Sequence, residues 1–141
     1  MHVVDANVLL YAVDESSTHH AAASAWLDEA LAGHETVALC WIVIVAFLRI
    51  STQAALFDRP LPAEEAVDTV VGWLGRPTVA MLEPTPRHLM TIRGLLSEVG
   101  TAGNPVNDAH IAPMAIEHGA EVVSFDRDFA RFEGLRWRLP G

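Results

Sequence analysis

The chain contains no lysine, and all nine of its basic residues are arginines. Because 18 residues are acidic, its formal net charge is −9, which argues against a positively charged coat for sequence-independent binding of nucleic acid. Any binding of phosphate must therefore depend on a local group of residues. Cys40 is the single cysteine, so neither a disulfide nor a cysteine-based zinc cluster can form within one chain. This composition predicts a protein of the reducing cytoplasm.

No apolar stretch is long enough to cross a bilayer. The stretch VALCWIVIVAFL, from Val37 to Leu48, has twelve residues and is closed by Arg49, whereas a membrane span needs about 20. The N-terminus shows no basic segment followed by an apolar one, so we predict no secretory signal and no membrane association. A chain of 141 residues, half of them hydrophobic, is expected to fold over residues 1–141 as one domain.

Short apolar segments alternate with segments of helical pattern. Strands are predicted at HVV, TVALCW, TVAMLE and AEVVSF, with a further edge strand at LRWRL. Of the intervening helices, one is expected to begin at the caps Ser16, Ser17 and Thr18 and to stop at Gly33, and the helix before the fourth strand to begin near Asn107 or Asp108. This order predicts an α/β fold with three layers, α/β/α, around a mostly parallel central sheet.

Three aspartates are expected at one edge of that sheet. Asp5 follows the first strand, Asp126 follows the fourth strand, and Asp108 stands at the start of a helix. Ligands of such sheets bind beyond the carboxyl ends of the strands, near the point where the strand order reverses. Each aspartate alone is explained as a helix cap or turn residue, but three neighbouring carboxylates repel one another unless a hard cation binds them. The pattern therefore predicts a site for Mg2+ or Mn2+.

Three segments carry more specific patterns, namely VVDANVLLYA near the start, NDAH at a helix start, and SFDRDF after the fourth strand. With the strand and helix order, they resemble the PIN-domain ribonucleases, in particular the VapC-type toxins of toxin–antitoxin pairs. The resemblance implies Asp5 and Asp108 as metal ligands and Asp126 as a third catalytic carboxylate, with Ser124 and Asp128 as supports. It also implies metal-dependent endonucleolytic cleavage of RNA and a cognate antitoxin as partner.

One position departs from the family pattern. PIN-domain toxins usually carry a glutamate in the helix after the second strand, in a pattern like Glu-Phe-Leu-Arg, whereas AFLRI places Ala46 there. Asp14, Glu15 or a water molecule are the candidates to replace that ligand. An alternative function follows from this departure, which is a catalytically weakened PIN-like module that binds RNA or regulates another protein.

Other enzyme classes lack a residue or motif that they require. The DANV segment is similar to the start of haloacid-dehalogenase phosphatases, and an aspartate directly after a strand is also found in receiver domains. Both families use a lysine, and this chain has none, so neither class is favoured. The chain has no His-Glu-x-x-His zinc motif, no Gly-x-Ser-x-Gly elbow and no glycine-rich phosphate loop. His110 and His118 are expected to be surface or capping residues.

Further residues are candidates for contacts with substrate or partner. Asn7 and Asn104 could donate hydrogen bonds near the site, although asparagine in turns is more often structural. In DRDFARFEGLRWR, arginines alternate with aromatics, which predicts either a path for single-stranded RNA or buried rings beneath a solvated arginine face. Helices such as HHAAASAWLDEAL and AVDTVVGWLG offer faces for a partner helix or a second copy, so a homodimer is expected.

Overall fold

A single parallel sheet forms the centre of the fold. The computed structural model describes residues 1–99 and 105–141, and for residues 105–109 the backbone alone. Within these ranges, five strands pair in the order β3-β2-β1-β4-β5, and every neighbouring pair is parallel. The strands are β1 (His2–Val4), β2 (Val37–Leu39), β3 (Val79–Met81), β4 (Glu121–Val123) and β5 (Arg136–Arg138). The predicted strands are thus confirmed, including the edge strand in LRWRL.

Helices cover both faces of this sheet, which confirms the three-layer α/β/α prediction. In the described ranges they are α1 (Ala6–Val13), α2 (His20–Ala32), α3 (Trp41–Ser51), α4 (Ala63–Leu74), α5 (His88–Val99) and α6 (Pro105–Glu117), with a 3-10 helix at Arg127–Arg131. Helix α1 packs on α2 and α3, and α5 packs on α6, which itself contacts β1 and β4. Among the described residues, no helix has the length and apolar character of a membrane span.

Two helices begin at other residues than the sequence predicts. Helix α2 begins at His20, and its N-cap His19 makes no side-chain capping bond. The predicted cap Ser17 instead accepts, at its Oγ, the backbone N–H of His19 at 3.1 Å, within the turn that links α1 to α2. Helix α6 begins earlier than expected, at Pro105, because proline at the first helical position needs no hydrogen-bond acceptor and already has a helical φ.

The order of the strands brings the ends of β1 and β4 together. From β1 the chain builds β2 and β3 on one side, and it later returns to build β4 and β5 on the other. The middle strands are buried on both faces, with Val3, Val4 and Val122 inaccessible to solvent. At the carboxyl ends, the backbone N–H of Asp5 donates to the carbonyl oxygen of Val123 at 3.0 Å. The strand order therefore reverses between β1 and β4, where ligands of parallel sheets bind.

Candidate functional site

Asp5 is half-buried at the carboxyl end of β1 and caps helix α1. Its Oδ1 accepts the backbone N–H of Ala6 at 2.7 Å. Its Oδ2 accepts the Ser124 hydroxyl at 2.6 Å and the Asn7 amide at 3.0 Å. Burial raises the pKa of Asp5 and the nearby charge of Asp126 adds to this effect, although the hydrogen bonds act to lower it. The carboxylate is therefore held firmly but carries a charge that its surroundings do not compensate.

Ser124, at the end of β4, connects the two strand ends. It is fully buried, and while its hydroxyl donates to Asp5, its Oγ accepts the Asn7 amide at 3.0 Å and the backbone N–H of Asp126 at 2.9 Å. Asn7 also accepts, at its Oδ1, the backbone N–H of Phe125 at 3.1 Å. The predicted hydrogen-bonding role of Asn7 and the predicted supporting position of Ser124 thus agree with the geometry. Asn104 lies outside the described residues.

Asp126 is half-buried directly after this network and caps the 3-10 helix. Its Oδ1 accepts the backbone N–H of Asp128 at 2.8 Å. Asp5 and Asp126 follow neighbouring strands toward the carboxyl edge of the sheet, and the charge of Asp126 contributes to the raised pKa of Asp5. Asp128 contributes this backbone N–H, and it is exposed. The structure therefore brings Asp5 and Asp126 to one edge of the sheet, as the sequence predicts.

Asp108 is the fourth residue of α6, and its side chain is outside the described part of the chain. Helix α6 packs on β1 and β4 and is joined to β4 by a tight turn, in which the backbone N–H of Ala120 donates to Ala115 at 2.8 Å. The helix consequently runs antiparallel to β4, and its first turn lies toward the carboxyl ends of the strands. The backbone position of Asp108 is thus compatible with the predicted site, and its role stays a prediction.

Asp14, one of the candidates for replacing the family glutamate, lies at the end of α1 opposite to Asp5. Asp14 is the C-cap of α1, and its Oδ1 accepts the backbone N–H of Ser16 at 3.1 Å and the hydroxyl of Ser16 at 2.6 Å. Asp14 and Asp5 cap opposite ends of α1, nine residues and therefore about 14 Å apart along the helix. Asp14 therefore supports a turn and not the sheet edge that carries Asp5 and Asp126, which we term the acidic edge. Ala46 is half-buried on α3, which starts at the carboxyl end of β2.

The predicted RNA path in the C-terminal segment does not form as an exposed aromatic surface. Phe129 and Phe132 belong to the core, at 0% and 2% exposed, and the alternative of buried rings is correct for both. Two of the arginines bind other parts of the protein: Arg136 donates to the carbonyl oxygen of Gly119 at 2.7 Å, and Arg138 pairs with Glu121 at 3.2 Å.

A second polar cluster, which the sequence analysis missed, lies between α5 and α6. His88 is buried, and its Nδ1 donates to Glu117 at 2.9 Å while its Nε2 lies 3.0 Å from Nδ1 of His110. Thr85 donates to the other oxygen of Glu117 at 2.9 Å. Although burial acts to raise it, these hydrogen bonds hold the pKa of Glu117 below its usual value. The expectation that His110 is a surface or capping residue is therefore wrong, because it packs against His88.

The chemistry of the acidic edge depends on oxygen ligands. Among the described side chains, no group of three His, Cys, Asp or Glu residues is arranged to hold a metal, and Asp108 is outside that set. Cys40 is buried at the start of α3, where burial raises the pKa of its thiol to about 12, so it does not supply a thiolate at neutral pH. The carboxylates of Asp5 and Asp126 are donors of the kind that hard divalent cations prefer.

The chain is similar in sequence to one protein family and to proteins named ribonucleases. The family profile described as PIN domain matches residues 2–135. The chain is 49% identical over 140 residues to Ribonuclease VapC37 of Mycobacterium tuberculosis (strain ATCC 25618 / H37Rv), with 99% of this chain and 97% of that protein covered. It is 41% identical over 140 residues to Ribonuclease VapC33 of the same strain, with 99% and 98% covered.

Solved structures show the same fold. VapBC2 from Rickettsia felis, bound to a DNA fragment from their promoter, aligns with a TM-score of 0.72 at 20% sequence identity, covering 98% of this chain and 97% of that one. The Mycobacterium tuberculosis VapC20 structure, a Sarcin-Ricin loop cleaving toxin, aligns with a TM-score of 0.70 at 14% identity, covering 96% and 99%. These alignments extend over nearly the whole length of each chain.

Proposed function

The chain belongs to the PIN-domain family, and we propose that it is a divalent-metal-dependent endoribonuclease, the toxin of a toxin–antitoxin pair. Relatives of nearly the same length that are named ribonucleases, at 49% and 41% identity, support this activity. The observation that carries the proposal is Asp5, a half-buried carboxylate at the reversal point of the strand order whose pKa is raised by burial and by the nearby charge of Asp126.

Mg2+ or Mn2+ fits this site by charge and by donor type. Burial and the neighbouring Asp126 make the ionised form of Asp5 costly, and a divalent cation held by Asp5 would offset that cost. Oxygen donors are the ligands that both ions take. We propose Asp5 and Asp108 as the metal ligands and Asp126 as the third catalytic carboxylate.

The residues of the chain position these groups for hydrolysis of a phosphodiester bond. A bound divalent ion supplies Lewis acidity toward a phosphoryl oxygen and lowers the pKa of a water molecule. Ser124 and Asn7 both donate to Oδ2 of Asp5, and the backbone of Ala6 donates to Oδ1, so the carboxylate plane is fixed before any ligand arrives. Ser124 also accepts the backbone N–H of Asp126, which fixes the second carboxylate relative to the first.

The proposed partners are an RNA substrate, a cognate antitoxin and a second copy of the chain. Solved structures of similar fold include VapBC complexes, which supports an antitoxin partner. Helices α3 and α4 pack on each other and expose Trp41, Val45, Val67 and Val71, and apolar surface of this kind marks interaction sites.

We propose that residues 1–141 act as one domain, because β1 and β5 belong to the same sheet, and that the protein works in the cytoplasm.

One position favours a second candidate function. Ala46 stands where the family usually has a glutamate, so a domain that binds RNA without cleaving it is the alternative. Fewer negative ligands hold a hard cation less tightly, and the weaker metal site would then limit catalysis.

Incubation of the purified chain with a mixture of structured RNAs separates the two candidates. The proposal predicts cleavage at defined positions with Mg2+ or Mn2+, none with EDTA, and none by the Asp5→Asn variant purified in the same way. Mapping the cleaved ends identifies the substrate. RNA that is retained but left intact in the presence of either ion supports the binding module, and cleavage that continues in Asp5→Asn overturns the assignment of the site.

A further inference from the structure

Three aromatic rings form a group beside the acidic edge, which we term the aromatic platform: Tyr11 on α1, His19 before α2, and Phe125 after β4. The ring centroids of His19 and Phe125 are 4.5 Å apart, those of Tyr11 and His19 are 5.2 Å apart, and those of Tyr11 and Phe125 are 5.3 Å apart. The His19 ring is inclined by 34° to both of the other rings, whereas Tyr11 and Phe125 meet nearly edge to face. Each ring of the platform thus contacts both of the others.

Asn7 links Asp5 to the aromatic platform, because its side-chain amide donates to Asp5 and its Oδ1 accepts from the backbone of Phe125. Phe125 lies between Ser124, which donates to Asp5, and Asp126, and its backbone N–H donates to Oδ1 of Asn7 at 3.1 Å. Asn7 and Tyr11 are four residues apart on α1 and therefore lie on the same side of that helix. The aromatic platform is consequently attached to the same edge of the sheet as the carboxylates.

His19 is the exposed member of the platform, and its position is determined by the turn that holds it. Tyr11 and Phe125 are half-buried, whereas His19 is exposed. The backbone N–H of His19 donates to Oγ of Ser17 at 3.1 Å, and Nδ1 of the next residue, His20, donates to the carbonyl oxygen of Tyr11 at 2.9 Å. The turn thus holds an aromatic ring at the surface, next to the predicted cleavage site.

The charge of the protein makes such a surface useful for binding RNA. With no lysine and a net charge of −9, the chain is poorly equipped to gain affinity by neutralising phosphates. Stacking of nucleobases on aromatic side chains does not depend on net charge, and it is the usual way in which proteins hold unpaired RNA bases. The rings predicted in the C-terminal segment cannot serve this purpose where they are buried, as at Phe129 and Phe132.

We propose that the aromatic platform is a stacking subsite that holds one unpaired base of the RNA next to the phosphodiester bond that is cleaved. The proposal rests on the proposed function, and it adds that the substrate must present an unpaired nucleotide at a fixed distance from the cleaved bond. His19, as the exposed ring, carries most of the contact with the base.

The first test compares cleavage kinetics of three variants on a short RNA that spans the mapped cleavage site. His19→Ala should raise KM about tenfold with kcat nearly unchanged, because one base–aromatic stack is lost. His19→Phe should restore a KM close to that of the parent, since it retains an aromatic ring. His34→Ala, which removes an exposed histidine from the loop before β2, is the matched control and should leave both constants unchanged.

The second test identifies the stacked nucleotide. Abasic residues are placed one at a time along the same RNA, and one position should raise KM of the parent as much as His19→Ala does. That abasic RNA should be cleaved equally well by the parent and by His19→Ala, because both changes remove the same contact and their effects do not add. Effects that add at every position, or a parental KM in His19→Ala, would overturn the subsite and leave the platform as a structural contact.

A measurement of RNA binding that does not depend on cleavage tests the stacking subsite independently of the proposed endoribonuclease activity. If the parent cleaves no RNA, the endoribonuclease proposal fails, and the subsite is then tested by fluorescence anisotropy of a labelled single-stranded RNA in EDTA. Affinity that falls about tenfold in His19→Ala and recovers in His19→Phe supports stacking. Equal affinity of the parent, His19→Ala and His34→Ala rejects it.

Discussion

Asp5 at the acidic edge and Glu117 between α5 and α6 are both partly buried carboxylates, but their pKa values move in opposite directions. Burial acts to raise the pKa of both. At Glu117, the imidazole of His88 and the hydroxyl of Thr85 each donate to one carboxylate oxygen, and the pKa is lowered. The carboxylate of Glu117 is thus compensated by donors within the protein, and its bond to His88 joins α6 to α5.

At Asp5 the hydrogen bonds are at least as numerous, but the pKa is raised. Its donors are the neutral groups of Ser124, Asn7 and the Ala6 backbone, and among the described side chains the charge that adds to the rise is that of the like-charged Asp126. The comparison shows that the number of hydrogen bonds does not decide whether a buried carboxylate is compensated, because the sign of the neighbouring charge matters as much. An uncompensated carboxylate at a reversal point of the sheet is a site that gains from binding a cation.

The largest expected effect comes from removing a proposed ligand of the acidic edge. Asp108→Asn should lower RNA cleavage about 100- to 1,000-fold, because it removes a negative ligand and keeps the shape of the side chain. The matched control is Asp68→Asn, which removes an exposed carboxylate on α4 and should leave the rate unchanged. Circular dichroism should show the parental fold in both variants. Parental activity in Asp108→Asn would mean that Asp108 is a structural residue.

Breaking the compensated pair should affect stability instead. His88→Ala leaves Glu117 buried without its imidazole donor, and urea unfolding should show a loss of about 2 kcal/mol in the free energy of unfolding at pH 7. The lowered pKa of Glu117 stabilises the fold above its usual value of 4.5, and this contribution is lost as the pH falls through the folded value. The difference between parent and variant should therefore shrink in acid. A loss no larger than that of His34→Ala would contradict this account.

Adding a carboxylate to the acidic edge should strengthen its binding of a divalent cation. Ala46→Glu should tighten Mn2+ binding about tenfold if residue 46 faces the cluster, since it adds a negative oxygen ligand at the position where the family pattern has a glutamate. Calorimetric titration with Mn2+ measures the effect. The gain should disappear when Asp5→Asn is added, because both residues would act on one site. Lower stability with unchanged Mn2+ affinity would show that position 46 does not face the site.

A smaller effect is expected from relieving the repulsion between Asp5 and Asp126. In EDTA at pH 7, Asp126→Asn should raise the free energy of unfolding by about 0.5 kcal/mol, because the cap of the 3-10 helix is kept while a like charge is removed. The exposed neighbour Asp128→Asn is the control and should change stability less. Asp126→Asn should also lower RNA cleavage. A variant that is less stable than the parent in EDTA would show that the two carboxylates do not repel each other appreciably.

The sequence predicts those features that depend on short segments. The run HVV is recognisable because strands buried on both faces are continuously apolar. Asp5 directly follows β1 and Asp126 lies three residues after the end of β4, so both lie toward the carboxyl edge of the sheet, where the sequence predicts them. Contacts across the chain escape this reasoning. Ser124 and Asn7 are 117 residues apart, and the bonds of His88 to His110 and Glu117 depend on how α5 packs on α6. Neither set of hydrogen bonds can be recognised in any short segment of the sequence.

The central claim is that the acidic edge is a metal site whose uncompensated charge is relieved by a divalent cation. Thermal unfolding in EDTA and in increasing Mn2+ tests it directly, because an ion that binds the folded state alone raises Tm with its concentration. The account predicts that Tm of the parent rises with Mn2+ and that Tm of Asp5→Asn does not. A parental Tm that Mn2+ leaves unchanged, or an equal rise in Asp5→Asn, would contradict it.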